Sequence, residues 1–383
     1  MEHLLETKEL VTNFYTYEGV VKALNKVSLV VDHGSTFGLV GESGCGKSVT
    51  ARSVMRIVQE PGRIEGGEVI VCLDEEGRQA GIDLLQQSEA YMESLRGSQV
   101  SMIFQEPNAA LNPTMSIGDQ VSESFLFHQK KEMCAKILED LSSSHCRVFY
   151  PLKKLQQALY WVAARNPDSF GLKMLGSLPL MKLWQKRLKK EARRRSIEII
   201  GKLGIPNPEQ IVKQYPHNLS GGMKQRIVIA IALACHPVLL IADEATSNLD
   251  VTIQAQILEL LRRLKDEVIS SILLITHDLG VVAETCDRVG VMYAGNLVEV
   301  ADVRDLFDKP VHPYTKALLD AVPKFSMEGA LKSIEGNVPN LVTPPSGCRF
   351  HPRCPHAMEI CTAEAPDLVE IDKNHTVACY LFG

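Results

Sequence analysis

The sequence lacks any stretch able to cross a bilayer. Its longest uncharged apolar run, Ile227–Ala242, is interrupted at His236-Pro237 and falls short of the roughly 20 residues a spanning helix needs. No export signal is expected either. The chain starts on the acidic Met1-Glu2-His3-Leu4-Leu5-Glu6, with no basic segment followed by an apolar one. The ten cysteines are therefore not expected to form a secreted disulfide framework. Aromatic residues are sparse at 6%, with two tryptophans. No heptad pattern is sustained, which excludes a long coiled-coil arm. The chain nevertheless has 45% apolar and 23% charged residues, the balance of a soluble globular protein. A length of 383 residues suggests two or three domains.

One stretch carries unambiguous chemistry. Gly41-Glu42-Ser43-Gly44-Cys45-Gly46-Lys47-Ser48 fits the phosphate-loop pattern G-x-x-x-x-G-K-[ST] at every specified position. The apolar Thr36–Val40 precedes it as a strand, and Val49–Gln59 follows at helical spacing, the context the motif requires. Glycines let backbone N–H groups turn toward phosphate oxygens, and the helix N-terminus adds partial positive charge. Lys47 would reach the β- and γ-phosphates and Ser48 would bind Mg²⁺. No second phosphate loop occurs in the chain.

Upstream, residues 8–32 read as short strands with turns near Glu18-Gly19 and Asp32-His33-Gly34. Phe14-Tyr15-Thr16-Tyr17 between them reads as a loop. Its tyrosines could stack on an adenine or pack on their own sheet. Downstream, Val100–Phe104 is a strand ending at Gln105-Glu106-Pro107, and residues 112–213 turn helical, punctuated by prolines. Ser220-Gly221-Gly222 opens a long apolar helix, a second anion-binding helix end. Val238–Ala242 is an apolar strand tipped by Asp243-Glu244, and the strand Ser271–Thr276 ends in His277-Asp278. Strands alternating with helices predict a doubly wound parallel sheet, whose ligands bind at the C-terminal strand ends.

In their order and approximate spacing, the phosphate loop, Gln105, Leu219–Gln225, Asp243-Glu244, Ser247–Asp250 and His277 resemble the ATP-binding cassette (ABC) transporter ATPases. The resemblance covers about residues 8–300. It implies an α/β fold: a RecA-like parallel-sheet core, an antiparallel β subdomain, an enlarged α-helical subdomain and a small Cys-containing C-terminal extension. Expected boundaries are 1–105 for the antiparallel and phosphate-loop part and 106–222 for the helical subdomain with its signature. The rest of the core is expected over 223–300 and the extension over 301–383. The resemblance further implies an ATPase. Gly41, Ser43, Gly44, Cys45, Gly46, Lys47, Ser48 and Val49 would bind ATP, with Tyr15 stacking on adenine and Tyr17 as the fallback. Ser48, Gln105 and Asp243 would hold Mg²⁺, Glu244 would act as general base, and His277 would contact the γ-phosphate. Ser220, Gly221 and Gly222 would close over ATP held by an opposite cassette, and Asp250 would lie in the loop coupling the two sites. Met223 and Asn248 depart from the commonest family residues, without removing a reacting group.

The tail narrows the resemblance. From Lys309-Pro310 onward it resembles that of oligopeptide and dipeptide ABC importers. Such ATPases work at the cytoplasmic face of the membrane with a second, non-identical ATPase, two permeases and an extracytoplasmic substrate-binding protein. Oligosaccharide or nickel uptake by the same machinery is the alternative cargo. Cys348, Cys354, Cys361 and Cys379 follow the spacing C-x5-C-x6-C-x17-C. Zinc ribbons favour closer pairs. Four thiolates suit a 4Fe-4S cluster, as in related subunits, with zinc or unmetallated thiols as the alternatives.

Charge is uneven. Residues 142–195 hold 13 Lys/Arg against 2 Asp/Glu in a chain whose net charge is −5. This is either the solvated face of an enlarged helical region or a surface for anionic lipid beside the permeases, with Trp161 and Trp184 near the interface. Nucleic acid is not expected as a partner, because soluble ABC ATPases of that kind carry coiled coils or two cassettes in one chain.

Overall fold

A computed structural model describes residues 3–73, 81–142, 150–165, 179–247, 250–267, 271–321 and 334–382. Among them, two sheets organise the molecule. An antiparallel sheet has the order β2-β1-β4-β5, from β1 (His3–Thr16), β2 (Gly19–Asp32), β4 (Gly62–Val71) and β5 (Ile82–Asp83). An eight-stranded sheet has the order β11-β12-β10-β9-β3-β8-β7-β6, with β10 (Asn296–Asp302), β11 (Val369–Asp372) and β12 (His375–Val377) at its antiparallel end. Its parallel part comprises β3 (Thr36–Val40), β6 (Val100–Ile103), β7 (Leu239–Asp243), β8 (Ser271–Ile275) and β9 (Arg288–Tyr293).

The parallel strands are short and apolar because both faces are covered, one by helices and the other by the antiparallel sheet with the helix Lys47–Val54. Every residue of β3, β6, β7 and β8 is buried. Gly38 in β3 has no space for a side chain: a Cβ there would lie 2.9 Å from the Cys286 sulfur. Register sets the site. Parallel pairing of Asp243 with Ile275 brings the tips of β7 and β8 to one edge.

The first two strands are longer than the sequence suggests, at 14 residues each, with Thr16 opposite Gly19 at the turn. Phe14, Tyr15 and Thr16 therefore belong to β1 rather than to a loop. Local alternation reads as short strands because register shifts interrupt the β1–β2 ladder between Thr7 and Asn13. Each shift breaks the period of two.

Helices Ile117–His128, Lys130–Ser142, Tyr150–Arg165 and Pro179–Lys202 form the helical region. Val121, Phe125, Met133, Ile137, Leu141, Tyr160, Leu188, Ala192 and Ile200 are buried in the same apolar core as the parallel sheet. Glu191 sits among them with a side chain only 10% exposed, taking hydrogen bonds from Arg194 at 2.8 and 2.9 Å and Arg195 at 3.4 Å. Burial pushes its pKa up, but the hydrogen bond and charge of Arg194, with those of Arg195 and Lys136, outweigh this and hold it below the usual carboxylate range.

The C-terminal residues extend the main sheet. The short strands β11 (Val369–Asp372) and β12 (His375–Val377) pair beyond β10 (Asn296–Asp302). Fully buried Glu299 in β10 ties them in, accepting from Val311 N at 2.8 Å and His312 N at 2.9 Å, with His375 Nε2 at 2.9 Å. No helix among the described residues is long and apolar enough to cross a membrane.

Candidate active site

The site lies where β3, β6, β7 and β8 end. The phosphate loop leaves β3 and enters the helix Lys47–Val54, with Gly46 in the left-handed region at φ 107°. Gly41 at φ 150° passes so close to β9 that a Cβ would come within 2.2 Å of the Met292 carbonyl oxygen. Only glycine fits there. Buried Lys47 folds back, its Nζ donating to the Gly41 carbonyl at 2.7 Å and the Glu42 carbonyl at 3.1 Å. The ammonium is thus held over the loop where phosphate oxygens would gather.

Ser48 donates its hydroxyl to Asp243 Oδ1 at 2.7 Å. Burial raises the Asp243 pKa, and the Ser48 hydrogen bond opposes that rise. These are two hard oxygen donors side by side at a phosphate loop, the donor type Mg²⁺ takes. Gln105, at the tip of β6, is turned toward Glu244: its Nε2 donates to Glu244 Oε2 at 2.7 Å. His277 Nδ1 lies 3.3 Å from the other carboxylate oxygen, Oε1. Glu244 itself has a left-handed backbone at φ 48°, uncommon for a residue with a side chain. Its N–H donates to the Ile275 carbonyl at 2.9 Å, which fixes that conformation at the junction of two strands.

The cleft over this cluster has a volume of about 400 Å³. Ser43, Gly44, Gly46, Lys47, Ser48, Gln105 and Glu244 line its polar part. Phe14, Val21, Ala23, Val49 and Leu341 line the rest. Tyr15 is not among the lining residues. It is 44% exposed, its hydroxyl donates to Glu65 at 2.8 Å, and the Arg63 guanidinium lies 5.5 Å from its ring centre. Tyr17 is 97% exposed at the turn. Alternation along β1 explains the difference, since neighbouring residues face opposite sides of a sheet.

The signature residues lie elsewhere. Ser220 caps the helix Gly221–Leu233, accepting from Met223 N, and exposes its side chain together with Gly221. Asp250 caps the helix Val251–Glu267 through a hydrogen bond from Ile253 N at 2.9 Å. Asn248 lies outside the described residues, as do much of the basic stretch and the Trp184 side chain. Within that stretch, Lys186, Lys189 and Lys190 are exposed, and Trp161 carries the Arg165 guanidinium 3.8 Å from its ring centre.

The four tail cysteines line one small cavity together with His312, Phe350 and Tyr380. None forms a disulfide. Burial pushes the thiols of Cys348, Cys354 and Cys379 up. Among the described residues, no group of three or more His, Cys, Asp or Glu is arranged to hold a single metal ion.

Three residues close to the phosphate loop have no motif to announce them. Tyr314 accepts from Glu42 N at 2.9 Å, Arg353 pairs with the Glu42 carboxylate at 2.8 Å, and Leu341 enters the cleft. Their sequence separation from residues 41–48 hides them.

A phosphate loop at the end of a buried parallel strand, with Asp243-Glu244 and His277 on neighbouring strand tips, defines a nucleotide-hydrolysing cassette. The family profile described as "ABC transporter" matches residues 24–247, and the "Oligopeptide/dipeptide transporter, C-terminal region" profile matches residues 298–361. The chain belongs to the ABC transporter family of ATP-binding proteins. It is 40% identical to the dipeptide transport ATP-binding protein DppD of Bacillus subtilis, over 100% of this chain and 95% of that one. It is also 40% identical to the oligopeptide transport ATP-binding protein OppD of Salmonella typhimurium, over 98% and 93% of the two chains. Among solved structures it resembles MJ0796, a bacterial ABC transporter cassette, with a TM-score of 0.54 and 20% identity over 78% of this chain and 99% of that one. That likeness shows the fold: a parallel sheet with an antiparallel β subdomain and a helical subdomain.

Proposed function

We propose that this chain is the ATP-hydrolysing subunit of a membrane importer for oligopeptides or dipeptides, working at the cytoplasmic face. The observation that carries the reading is the pairing of an ABC transporter match over residues 24–247 with a tail matching the oligopeptide/dipeptide transporter C-terminal region over residues 298–361. Likeness to peptide transport ATP-binding proteins over the whole length supports it. The test is uptake of labelled dipeptides and pentapeptides by the source organism with the gene deleted. Loss of peptide uptake, restored by the intact gene, is expected. Unchanged peptide uptake with lost oligosaccharide or nickel uptake would overturn the cargo.

The chemistry follows from the strand tips. Mg²⁺, when bound with ATP, would neutralise charge on the phosphates. Ser48 and Asp243 are the residues to hold it, with Gln105 reaching in from β6. Lys47 and the loop N–H groups bind the phosphates. Glu244 takes a proton from water as the water oxygen attacks the γ-phosphorus. The bond from that phosphorus to the β–γ bridging oxygen breaks, and ADP leaves with the electron pair. His277, beside Glu244, orients the carboxylate and contacts the γ-phosphate. Tyr15 on the outer face of β1 would meet adenine only at the rim of the cleft, whereas Phe14 lines its interior.

The exposed Ser220-Gly221-Gly222 end does not line this chain's own cleft. It suits ATP carried by a second, non-identical ATPase, whose own signature would cover the cleft described here. Two permeases and an extracytoplasmic substrate-binding protein complete the assembly. Exposed Lys186, Lys189 and Lys190 with exposed Trp161 support contact with anionic lipid. Salt-sensitive sedimentation of the protein with anionic vesicles tests it, and salt-insensitive binding or none overturns it.

For the tail, convergence of Cys348, Cys354, Cys361 and Cys379 on one cavity supports a 4Fe-4S cluster. The four thiolates would be the residues to hold it. When bound, the cluster would fasten the tail to β10. Protein purified without oxygen should be brown, with iron and acid-labile sulfide in equal amounts. Colourless protein with stoichiometric zinc would overturn this.

A further inference from the structure

The C-terminal extension lines the apolar end of the nucleotide cleft with Leu341 and contacts the phosphate loop at Glu42. At the apolar end, Leu341 stands with Phe14 and Val21. The Leu341 carbonyl accepts from Lys22 N at 2.9 Å, which ties this segment to the β1–β2 hairpin. Beside it, Val342 fills the space at Gly19 so fully that a Cβ there would meet its Cγ1 at 2.6 Å. Buried Arg349 adds a second tie, donating to the carbonyls of Ala294 and, at 3.1 Å, Lys22. The opposite end of the cleft is the phosphate loop. A nucleoside triphosphate anchored there must therefore direct its base and ribose toward Phe14, Val21 and Leu341.

The same extension reaches the loop itself. Arg353, its side chain 5% exposed, grips Glu42 with two nitrogens: Nη1 to Oε2 at 2.8 Å and Nη2 to Oε1 at 3.2 Å. Its Nε and Nη2 also donate to the carbonyls of Glu335 and Ile334 at 2.9 and 3.3 Å, which hold the guanidinium in place. Fully buried Tyr314 accepts from Glu42 N at 2.9 Å. Tyr293, Tyr314 and Phe350 form one aromatic cluster beneath, with ring centres 4.7 to 5.4 Å apart. The electrostatic consequence is direct. Glu42 places a carboxylate inside a loop built for a polyanion, and an unpaired charge there would repel the phosphates. Arg353 neutralises it and holds it aside by a bidentate pair.

We propose that the C-terminal extension is a working part of the nucleotide site: Leu341 packs against the base or ribose, and Arg353 is the positioning residue that neutralises Glu42 in the phosphate loop. This rests on reading the cleft as the site of ATP.

The experiment compares ATP with inorganic tripolyphosphate, which has no base, by titration calorimetry of the full chain with Mg²⁺. Leu341→Ser should weaken ATP about tenfold and leave tripolyphosphate unchanged. Arg353→Met should weaken both ligands about tenfold or more, and adding Glu42→Gln to it should recover most of that loss, since no carboxylate is left to repel phosphate. Unchanged ATP affinity in both single variants overturns the proposal, as does an equal loss of both ligands in Leu341→Ser or no recovery in the double variant. If Arg353→Met fails to fold, Glu42→Gln and Arg353→Met,Glu42→Gln are compared with Leu341→Ser on the same two ligands, and equal tripolyphosphate binding by both Glu42 variants supports the neutralising role. Wild-type protein that binds no ATP, or Lys47→Ala that still binds it fully, would overturn the nucleotide site itself.

Discussion

Gln105 and Glu244 are joined by a 2.7 Å hydrogen bond from the amide Nε2 to the carboxylate Oε2. The bond spans the tips of the adjacent parallel strands β6 and β7. It occupies one carboxylate oxygen and leaves the other, Oε1, beside His277. The amide thereby orients the carboxylate. Glu244 has a left-handed backbone at the end of β7, and its carboxylate is held by the Gln105 amide on one oxygen and lies beside His277 on the other.

Glu244→Gln should retain ATP binding and lose hydrolysis by a factor of about 10²–10⁴, the usual contribution of a general base. The variant should also accumulate as an ATP-closed pair with its partner ATPase. Single-turnover hydrolysis with gel filtration of the mixed subunits measures both. Undiminished hydrolysis would remove Glu244 from the role of base.

Two of the three phosphate-loop glycines, Gly44 and Gly41, should respond differently to alanine. Gly44 has φ 78° and open space where a Cβ would stand, so Gly44→Ala carries only the left-handed backbone cost of about 1–2 kcal/mol. At Gly41 a Cβ would meet the Met292 carbonyl oxygen at 2.2 Å, and backbone cannot move aside cheaply. Thermal unfolding and ATP titration should show a mild defect for Gly44→Ala and loss of ATP binding for Gly41→Ala.

Glu191→Gln should destabilise the helical region by about 1–3 kcal/mol at pH 7, because Arg194 and Arg195 lose their charged acceptor. The Glu191 pKa is lowered in the fold. Its stabilisation is therefore complete above the ordinary carboxylate pKa and is lost as pH falls through the lowered folded value. The difference between wild type and variant in denaturant unfolding should shrink on acidification. A difference constant down to pH 3 would contradict the assignment.

Ser220→Ala should leave ATP binding by the isolated chain unchanged, since Ser220 does not line its cleft. Turnover by the paired ATPases should fall, because this signature would serve the partner's nucleotide. The helix cap from Ser220 to Met223 N would go as well, at a cost of about 1 kcal/mol. The decisive comparison is the isolated chain against the pair at equal folded concentration. Equal turnover with and without the substitution would argue against a shared site.

The parts of the site legible in the sequence are those whose chemistry is local. Residues 41–48 identify a phosphate loop because glycine, lysine and serine must sit at fixed offsets within one turn. Asp243-Glu244 and His277 are legible because each ends an apolar run that can only be a buried strand. Tyr15 shows the limit of that reasoning. The aromatic cluster is visible in the sequence, but which ring faces the cleft depends on strand alternation and on register shifts between Thr7 and Asn13, and the structure turns Phe14 inward. The tail cysteines are visible as a spacing, while their convergence on one cavity with His312 and Tyr380 depends on how the tail folds back over β10.

The sequence by itself determined the class of protein, the strand-tip residues of a hydrolytic site and the presence of a cysteine-bearing extension. Tertiary structure alone decided that the extension continues the main sheet through β12 and walls the nucleotide cleft with Leu341. It also decided that Arg353 meets Glu42 across 311 residues of chain. The physical reason is separation. Motif spacing records what neighbouring residues must do together, whereas an ion pair between distant segments leaves no periodicity or composition to read and exists only once the sheet has brought both ends to one edge.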